Sequence, residues 1–247
     1  MSNWVKNILE ISGKPNTVKK VVDFLKGADN EGTETCFDFN KVVPMPDSLK
    51  LESGSRSKLS LLVFKYKTFG QEADNLNRYR FANESDLDLS LDEYVARMLQ
   101  EKQADLDLGR KVYTNLQEYG FADWYDWRVK KWGTKWNACD AACEQEDYDR
   151  FCFEFDTPWS APVPVIEKLA QRFPAVRFHH IWTDENLGCN TGENIYRGNL
   201  IKENRHEDCS SEAYRIYLRC WKEADCIAKD QYGRYYLKDC KDCKKCG

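Results

Sequence analysis

The chain contains 247 residues, enough for one large domain or two small ones with a hydrophobic core. Aromatic residues make up 13% of the sequence, and this content excludes a disordered protein. The 37 basic residues are outnumbered by 41 acidic ones, and the resulting net charge of -4 excludes a strongly basic nucleic-acid coat. No long apolar run and no secretory signal is found, so we expect a cytoplasmic protein without membrane contact.

The N-terminal residues have the pattern of a β-α-β unit. Apolar positions predict a strand over residues 4–11, and helical spacing predicts a helix over residues 16–25. Alternation over residues 36–43 predicts a second strand, which ends at Pro44 because proline cannot donate to a strand ladder.

A helical insertion is predicted over about residues 47–131. Its clearest element begins with Ser90 and Glu93, which have the spacing of a capping box. Residues 72–107 hold ten acidic and four basic side chains, a net charge of -6. Such an acidic segment is suited to docking in the basic nucleic-acid channel of another macromolecule.

The predicted elements from residue 150 to residue 238 follow the order β-α-β-β-α-β, with one additional hairpin strand. This order is typical of a ferredoxin-like split β-α-β sandwich, in which helices cover one face of an antiparallel sheet. The sequence therefore predicts an α+β protein. Its parts are an N-terminal β-α-β region with the helical insertion, residues 1–147, and a ferredoxin-like domain with a cysteine-rich tail, residues 148–247.

Three phenylalanines of the strand over residues 151–155 are expected to share one face of this sheet, because side chains alternate along a strand. They are Phe151, Phe153 and Phe155. The helices over residues 162–172 and 210–221 are expected to cover them.

Residues 124–136 combine four tryptophans with four basic residues and form a candidate binding site. Indole rings can stack on bases while basic side chains track phosphates, as in proteins that bind single-stranded nucleic acid. The alternative is that the indoles pack in the core and the basic side chains line a solvated helix face. The candidate residues are Trp124, Trp127, Arg128, Lys130, Lys131, Trp132, Lys135 and Trp136.

Eleven cysteines in a chain without an export signal predict thiols or metal ligands. Cys240, Cys243 and Cys246 have the two-residue spacing that lets neighbouring thiolates bind one tetrahedral zinc ion. Cys226 or Cys220 is available to complete the ligand set. Zinc is therefore the possible cofactor, and a loose thiol tail without metal is the alternative.

Several segments resemble the YubB-like proteins, which phages, prophages and conjugative plasmids encode. The similar segments are Phe37-Asp-Phe39 running into Val43-Pro-Met-Pro46, Trp124-Tyr-Asp-Trp127, Trp132-Gly-Thr-Lys-Trp-Asn137 and Phe155-Asp-Thr-Pro-Trp-Ser160. The resemblance covers roughly residues 1–205. It implies a ferredoxin-like domain at the C-terminal end and a mobile-element protein acting in the cytoplasm of a bacterial host. It implies no catalytic residues.

Three functions follow from these observations. The first is a non-enzymatic mobile-element protein that binds a host protein or ribonucleoprotein, for instance as an anti-CRISPR or anti-restriction inhibitor. The second is a single-stranded nucleic-acid-binding module. The third is a cysteine- or metal-dependent enzyme, for which Cys152 and His180 are a candidate nucleophile and base. The sequence has no glycine-rich phosphate loop and no His-Glu-x-x-His motif, which favours the non-enzymatic function.

Overall fold

The structure is a computed structural model that describes residues 3–28 and 31–238. The chain divides into two compact units. We call Met1–Pro44 together with Arg128–Gly247 the sheet unit, and Met45–Trp127 the helical unit. The predicted boundary between residues 147 and 148 falls inside the sheet unit, whereas the helical unit has bounds close to those of the predicted insertion.

The first part of the sheet unit contains β1 (Trp4–Ser12), α1 (Pro15–Leu25), β2 (Gly27–Ala28), β3 (Glu34–Thr35) and α2 (Phe39–Val42). The helical unit contains α3 (Ser55–Phe69), α4 (Ala73–Phe81), α5 (Leu91–Gln100) and α6 (Leu106–Tyr119), and the last helix, α7 (Trp124–Trp132), spans its C-terminal boundary. The rest of the sheet unit contains β4 (Cys139–Asp147), β5 (Arg150–Pro158), α8 (Val163–Arg172), β6 (Arg177–Asp184), β7 (Gly192–Arg197), β8 (Asn199–Arg205), α9 (Ser211–Trp221), β9 (Ile227–Lys229) and β10 (Tyr235–Leu237). None of the described helices is long and apolar enough to cross a membrane.

The large sheet is antiparallel and has the strand order β4-β5-β1-β6-β7-β8. The N-terminal strand β1 is central, because it pairs with β5 on one side and with β6 on the other. The succession β1-α1-β4-β5-α8-β6 therefore forms the ferredoxin-like core, which β7 and β8 extend. This confirms the α+β, ferredoxin-like class. The elements of this core differ from the predicted ones, because β1 lies in the sheet whereas β9 pairs with β10 in a separate small sheet. The predicted order over residues 150–238 therefore does not form the core by itself.

One face of the sheet is covered by α1 and α8. On this face Leu9 lies between Phe153 of β5 and His180 of β6. The two helices meet through Phe24 and Phe173, whose ring centroids are 5.4 Å apart. Phe153 is fully buried, as the alternation of side chains along β5 predicted.

The opposite face is covered by α9. Ile216 and Cys220 of this helix pack with Ile8 and Ile181, which point away from Phe153. The expectation that both C-terminal helices cover the phenylalanine face is therefore wrong for α9. The spacing of apolar residues determines which side of a helix is buried, but it does not determine which face of a sheet the helix covers.

Residues 36–43, predicted as a strand, instead contain the short helix α2. Asp38 caps this helix by accepting a hydrogen bond from the backbone N–H of Asn40 at 2.9 Å. Phe37 and Phe39 both contact the ring of Phe155 in the core. The alternating apolar residues Phe37 and Phe39 are thus buried in the same core by a capped turn, and no strand is needed to bury them.

The helical unit has its own hydrophobic core. Its buried members are Leu59, Val63, Leu76, Tyr94, Val95, Met98 and Ala104. The predicted capping box of Ser90 and Glu93 begins α5. Asp86 is buried and paired with Arg97, so part of the acidic charge of residues 72–107 is compensated within the unit.

Candidate functional site

The tryptophans of residues 124–136 are divided between core and surface. Trp127 and Trp132 are buried, whereas Trp124 and Trp136 are half-buried. The indole N–H of Trp132 donates to the carbonyl of Val43 at 2.9 Å, a typical contact for a core indole. Two of the four predicted stacking rings are therefore part of the interior.

The basic side chains of the segment are divided in the same way. Lys130 and Lys131 are exposed near the end of α7. The guanidinium of Arg128 lies 4.7 Å from the ring centroid of Trp132, and burial lowers the pKa of Arg128. Arg128 is thus part of the packing around Trp132, whereas the two lysines face solvent.

Trp136 belongs to a surface patch that three separate chain segments form. Its ring centroid lies 5.7 Å from that of Trp4. Lys135 Nζ lies 4.4 Å from the ring centroid of Trp136 and 5.7 Å from that of Trp159. We call Trp4, Lys135, Trp136 and Trp159 the indole patch. Attraction between the ammonium group and the two ring faces favours this arrangement.

Trp159 is the most exposed member of the indole patch. Its exposed fraction is 55%, and its backbone φ is 71°. A non-glycine residue in this left-handed region costs about 1–3 kcal/mol, and residues strained in this way cluster at functional sites. The backbone N–H of Trp159 donates to the carbonyl of Asn3 at 2.9 Å, which holds the residue beside the start of β1. The fold therefore keeps a large apolar side chain outside the core in a strained conformation.

The loop over residues 133–138, which carries two members of the indole patch, is fixed at both ends. Thr134 Oγ1 donates to the carbonyl of Pro158 at 2.8 Å, which ties the loop to the end of β5. At the other end, Asn137 Nδ2 donates to Asp38 Oδ1 at 2.8 Å. Both contacts are buried, so each end of the loop is tied to the interior of the sheet unit.

Trp4 and Trp159 are not among the site residues predicted from the sequence. The register of β1 and β5 places Trp4 opposite Pro158, directly beside Trp159. In the sequence, Trp4 begins the predicted strand over residues 4–11, and Trp159 follows the predicted strand over residues 151–155. The pairing of those two strands, which are distant in the chain, brings the two indoles together.

Only some of the predicted zinc ligands lie among the residues that the structure describes. Cys226 is buried and packs with Leu187 and Ile227. Cys240, Cys243 and Cys246 lie outside the described residues. Among the residues of 3–28 and 31–238, no group of three or more His, Cys, Asp or Glu is arranged to hold a metal ion.

Cys152 and His180 are not brought together. Cys152 pairs with Glu10 in the sheet and His180 pairs with the adjacent Leu9, so their side chains point to opposite faces. Burial raises the pKa of Cys152 to about 12 and lowers the pKa of His180 to about 3. Near neutral pH the thiol stays protonated, and the imidazole has little affinity for a proton.

His179 lies in an ionic cluster under α9. Its Nδ1 is 2.9 Å from Glu10 Oε2, and its Nε2 is 2.6 Å from Glu193 Oε1. Arg219 of α9 pairs with the same Glu10. The hydrogen bond with His179 is the main reason that the pKa of Glu10 is lowered, and Arg219 adds to the effect. The two carboxylates lie at opposite nitrogens of one ring, so the cluster fastens α9 to the sheet and does not enclose a metal.

Part of the sheet unit is similar to a known protein family. Residues 131–226 match a family model. Its description is a ferredoxin-like domain in Api92-like protein. The chain is also similar to a crystal structure of a protein api92 from Yersinia pseudotuberculosis, with 12% identity, a TM-score of 0.43, and coverage of 84% of this chain and 99% of that chain. The search of curated proteins found no match.

The Api92-like match extends from the end of α7 to the residue before β9. It includes Lys135, Trp136 and Trp159, and so three members of the indole patch. It confirms the ferredoxin-like C-terminal domain that the resemblance to YubB-like proteins implied. The phage or plasmid origin implied by that resemblance stays a prediction.

Proposed function

We propose that this protein is a non-enzymatic binding protein of a phage or plasmid, and that its indole patch contacts a host protein. The observation that carries the proposal is the exposed, strained Trp159 beside Lys135 and Trp136. Tryptophan is strongly enriched among the few side chains that dominate the free energy of protein–protein association. Neighbouring half-buried side chains that exclude water strengthen such a contact.

A protein partner fits the indole patch better than single-stranded nucleic acid. Nucleic-acid binding of that kind needs a row of accessible rings beside a positively charged groove. Trp127 and Trp132 are buried, and Lys135 lies against two indoles. The net charge of the chain is -4. An apolar pocket with acidic groups at its rim, by contrast, would receive the ring of Trp159 and the ammonium of Lys135 together.

The raised pKa values of three thiols support a non-enzymatic role. Burial raises the pKa of Cys143, Cys152 and Cys220 to about 12 in each case. The thiolate is the nucleophilic form of cysteine, and these three side chains stay protonated at neutral pH.

Mobile-element origin and counter-defence rest on the resemblance of residues 1–205 to YubB-like proteins. A protein of this kind acts in the cytoplasm of a bacterial host, where restriction enzymes and CRISPR ribonucleoproteins are its natural targets. Inhibition by blocking requires buried area and no catalysis, roughly 1,200–2,000 Å² for a standard interface. The indole patch would form the centre of that interface, with exposed polar side chains around it.

Site-specific photo-crosslinking in the bacterial host tests this proposal. A photoreactive phenylalanine analogue is placed at Trp159, and in a matched control at Tyr148, which is 70% exposed at the turn between β4 and β5. We expect a defined protein adduct from position 159 and none from position 148. With the captured protein purified, Trp159→Ala should weaken binding at least roughly tenfold, since a central anchor contributes about 2 kcal/mol or more. Tyr148→Ala should leave the affinity unchanged.

Two outcomes would overturn the proposal. An adduct that nuclease treatment removes would identify a nucleic acid as the partner and favour the second function. Equal yields of the same adducts at positions 159 and 148 would show that the indole patch has no specific partner.

A further inference from the structure

Cys189 and Cys209 form a pair of neighbouring thiols at the surface of the sheet unit. Both are free cysteines; Cys189 is half-buried and Cys209 is exposed. The backbone of Gly188, next to Cys189, packs against Cys209, whose Cα would lie 3.5 Å from a Cβ at position 188. Cys189 lies in the turn between β6 and β7, and Cys209 lies just before α9, where Ser210 caps the helix.

The backbone holds the two cysteines together from both sides. The N–H of Cys209 donates to the carbonyl of Gly188 at 3.0 Å, and the N–H of Asn190 donates to Asp208 Oδ1 at 3.0 Å. Residues 188–190 therefore run directly beside residues 208 and 209. A disulfide requires such a close approach of two segments, since its Cα atoms are about 4.4–6.8 Å apart.

Both cysteines lie in fixed turns. Gly188 has φ 70° and approaches the ring of Tyr214, a position that a side chain would not fit. Cys209 has φ 60°, an unusual value for a residue with a side chain. The carbonyl of Cys189 accepts hydrogen bonds from the backbone N–H of Asp184 at 3.2 Å and from Thr183 Oγ1 at 3.3 Å. The pairing of the thiols is therefore built into the fold.

We propose that Cys189 and Cys209 are a redox site, which a low-molecular-mass disulfide such as oxidised glutathione converts into an intramolecular disulfide bond. This inference is independent of the proposed function. It assigns a modification to two thiols that have no part in the indole patch or in the predicted zinc site.

The reaction has two exchange steps. The sulfur of Cys209 attacks one sulfur of the small disulfide, whose S–S bond breaks and releases one small thiol. The sulfur of Cys189 then attacks Cys209 in the mixed disulfide, forms the Cys189–Cys209 bond and releases the second small thiol. The two protein thiols lose two electrons and two protons, and the two released thiols gain them.

The exposure of the two sulfurs decides their roles. Cys209 is the accessible sulfur and meets the oxidant first. Cys189 is half-buried, and burial together with the carboxylates of Asp208 and Asp184 raises its pKa. Cys189 therefore reacts only with a sulfur already beside it, as a resolving cysteine does.

Peptide mapping of the full chain tests the proposal. The reduced protein is equilibrated in glutathione buffers of increasing oxidised fraction, quenched with acid, alkylated and digested with trypsin. Cleavage after Arg177, Arg197, Arg205 and Arg215 places Cys189 alone in residues 178–197 and Cys209 alone in residues 206–215. We expect these two peptides to become linked, with a mass lower by two hydrogens than their sum. The linked fraction should rise with the oxidised fraction of glutathione.

Variants separate the two roles. Cys189→Ser should accumulate glutathione on Cys209, because no resolving thiol remains, and Cys209→Ser should remain alkylated at Cys189. Cys152→Ser is the matched control, and should form the link as the wild-type protein does. In concentrated urea the chain is unfolded, and oxidation should give many different disulfides among the eleven cysteines. The Cys189–Cys209 disulfide should dominate only when the protein is folded.

Two results with the wild-type chain would overturn the proposal. One is complete alkylation of Cys189 and Cys209 in buffers that oxidise other cysteines of the chain. The other is preferential linkage of Cys209 to Cys240, Cys243 or Cys246.

Discussion

Asn137 and Asp38 are hydrogen-bonded inside the sheet unit although 99 positions separate them, with Asn137 Nδ2 donating to Asp38 Oδ1 at 2.8 Å. The same amide accepts a hydrogen bond from the backbone N–H of Phe39 at 2.8 Å. One side chain therefore joins the loop before β4 to the first turn of α2. Because Lys135 and Trp136 lie in that loop, this contact also positions half of the indole patch.

Replacement of Asn137 by alanine should destabilise the protein by about 3 kcal/mol, because it leaves a buried carboxylate oxygen and a buried N–H without this partner. The free energy of unfolding from urea titrations measures the effect. Gln171→Ala removes an amide from the exposed surface of α8 and should change that free energy by less than about 0.5 kcal/mol. Equal effects of the two substitutions would contradict a structural role for Asn137.

Phe153→Ala should cost about 3–5 kcal/mol of stability, since it leaves a cavity in a fully packed core. The ring is 0% exposed, and its centroid lies 5.6 Å from that of Phe37. Thermal and urea unfolding both report the loss. Tyr148→Ala removes an exposed ring of similar size from the adjoining turn, and its unfolding curve should overlay that of the wild-type protein. A small effect of Phe153→Ala would mean that the core relaxes around the missing ring.

Trp159→Gly should weaken partner binding at least roughly tenfold while changing the free energy of unfolding by no more than about 1 kcal/mol. Glycine relieves the left-handed conformation, worth about 1–2 kcal/mol, and this gain offsets the lost contacts of the half-exposed ring. Urea titration and the affinity for the captured partner are measured on the same preparation. A loss of stability comparable with that of Phe153→Ala would assign Trp159 to the core of the fold.

The buried imidazole of His180 should make the protein less stable as the pH falls below 6.5. Burial lowers its pKa from 6.5 to about 3, so the unfolded chain binds a proton in this range that the folded chain does not. The free energy of unfolding should therefore fall with pH by up to about 1.4 kcal/mol per unit, and this penalty is absent above pH 6.5.

His180→Gln tests that assignment, because the glutamine amide can still donate to Asn7 Oδ1, which His180 Nε2 contacts at 3.0 Å. Urea titrations between pH 6.5 and about 5 measure the slope above the range where carboxylates dominate. We expect a shallower slope in the variant. An unchanged slope would assign the pH dependence to other groups.

Zinc at the C-terminus stays a prediction from spacing, and metal analysis of the purified chain tests it. Zinc held by Cys226, Cys240, Cys243 and Cys246 should be present at about one ion per chain, and should be lost at acidic pH as the thiolates protonate. The double variant Cys240→Ser with Cys243→Ser should lose the metal, whereas Cys209→Ser should retain it. Unmodified zinc content in the double variant would contradict this ligand set.

Features that depend on a few neighbouring residues could be predicted from the amino-acid sequence. The capping box of Ser90 and Glu93, the cap of Ser210 on α9 and the class of the fold follow from local hydrogen bonds and from the period of apolar residues. The signal of each cap is complete within one turn of helix, and the fold class follows from the order of helical and strand periods along the chain.

The way these elements combine depends on long-range packing and could not be predicted from the sequence. The central position of β1, the packing of α9 on the face away from Phe153, the indole patch and the pairing of Cys189 with Cys209 all join residues far apart in the chain. An amphipathic pattern specifies that a face is buried, but many partners bury it almost equally well. The packing of the whole sheet selects one of these partners, and the sequence of a single strand or helix does not indicate which one.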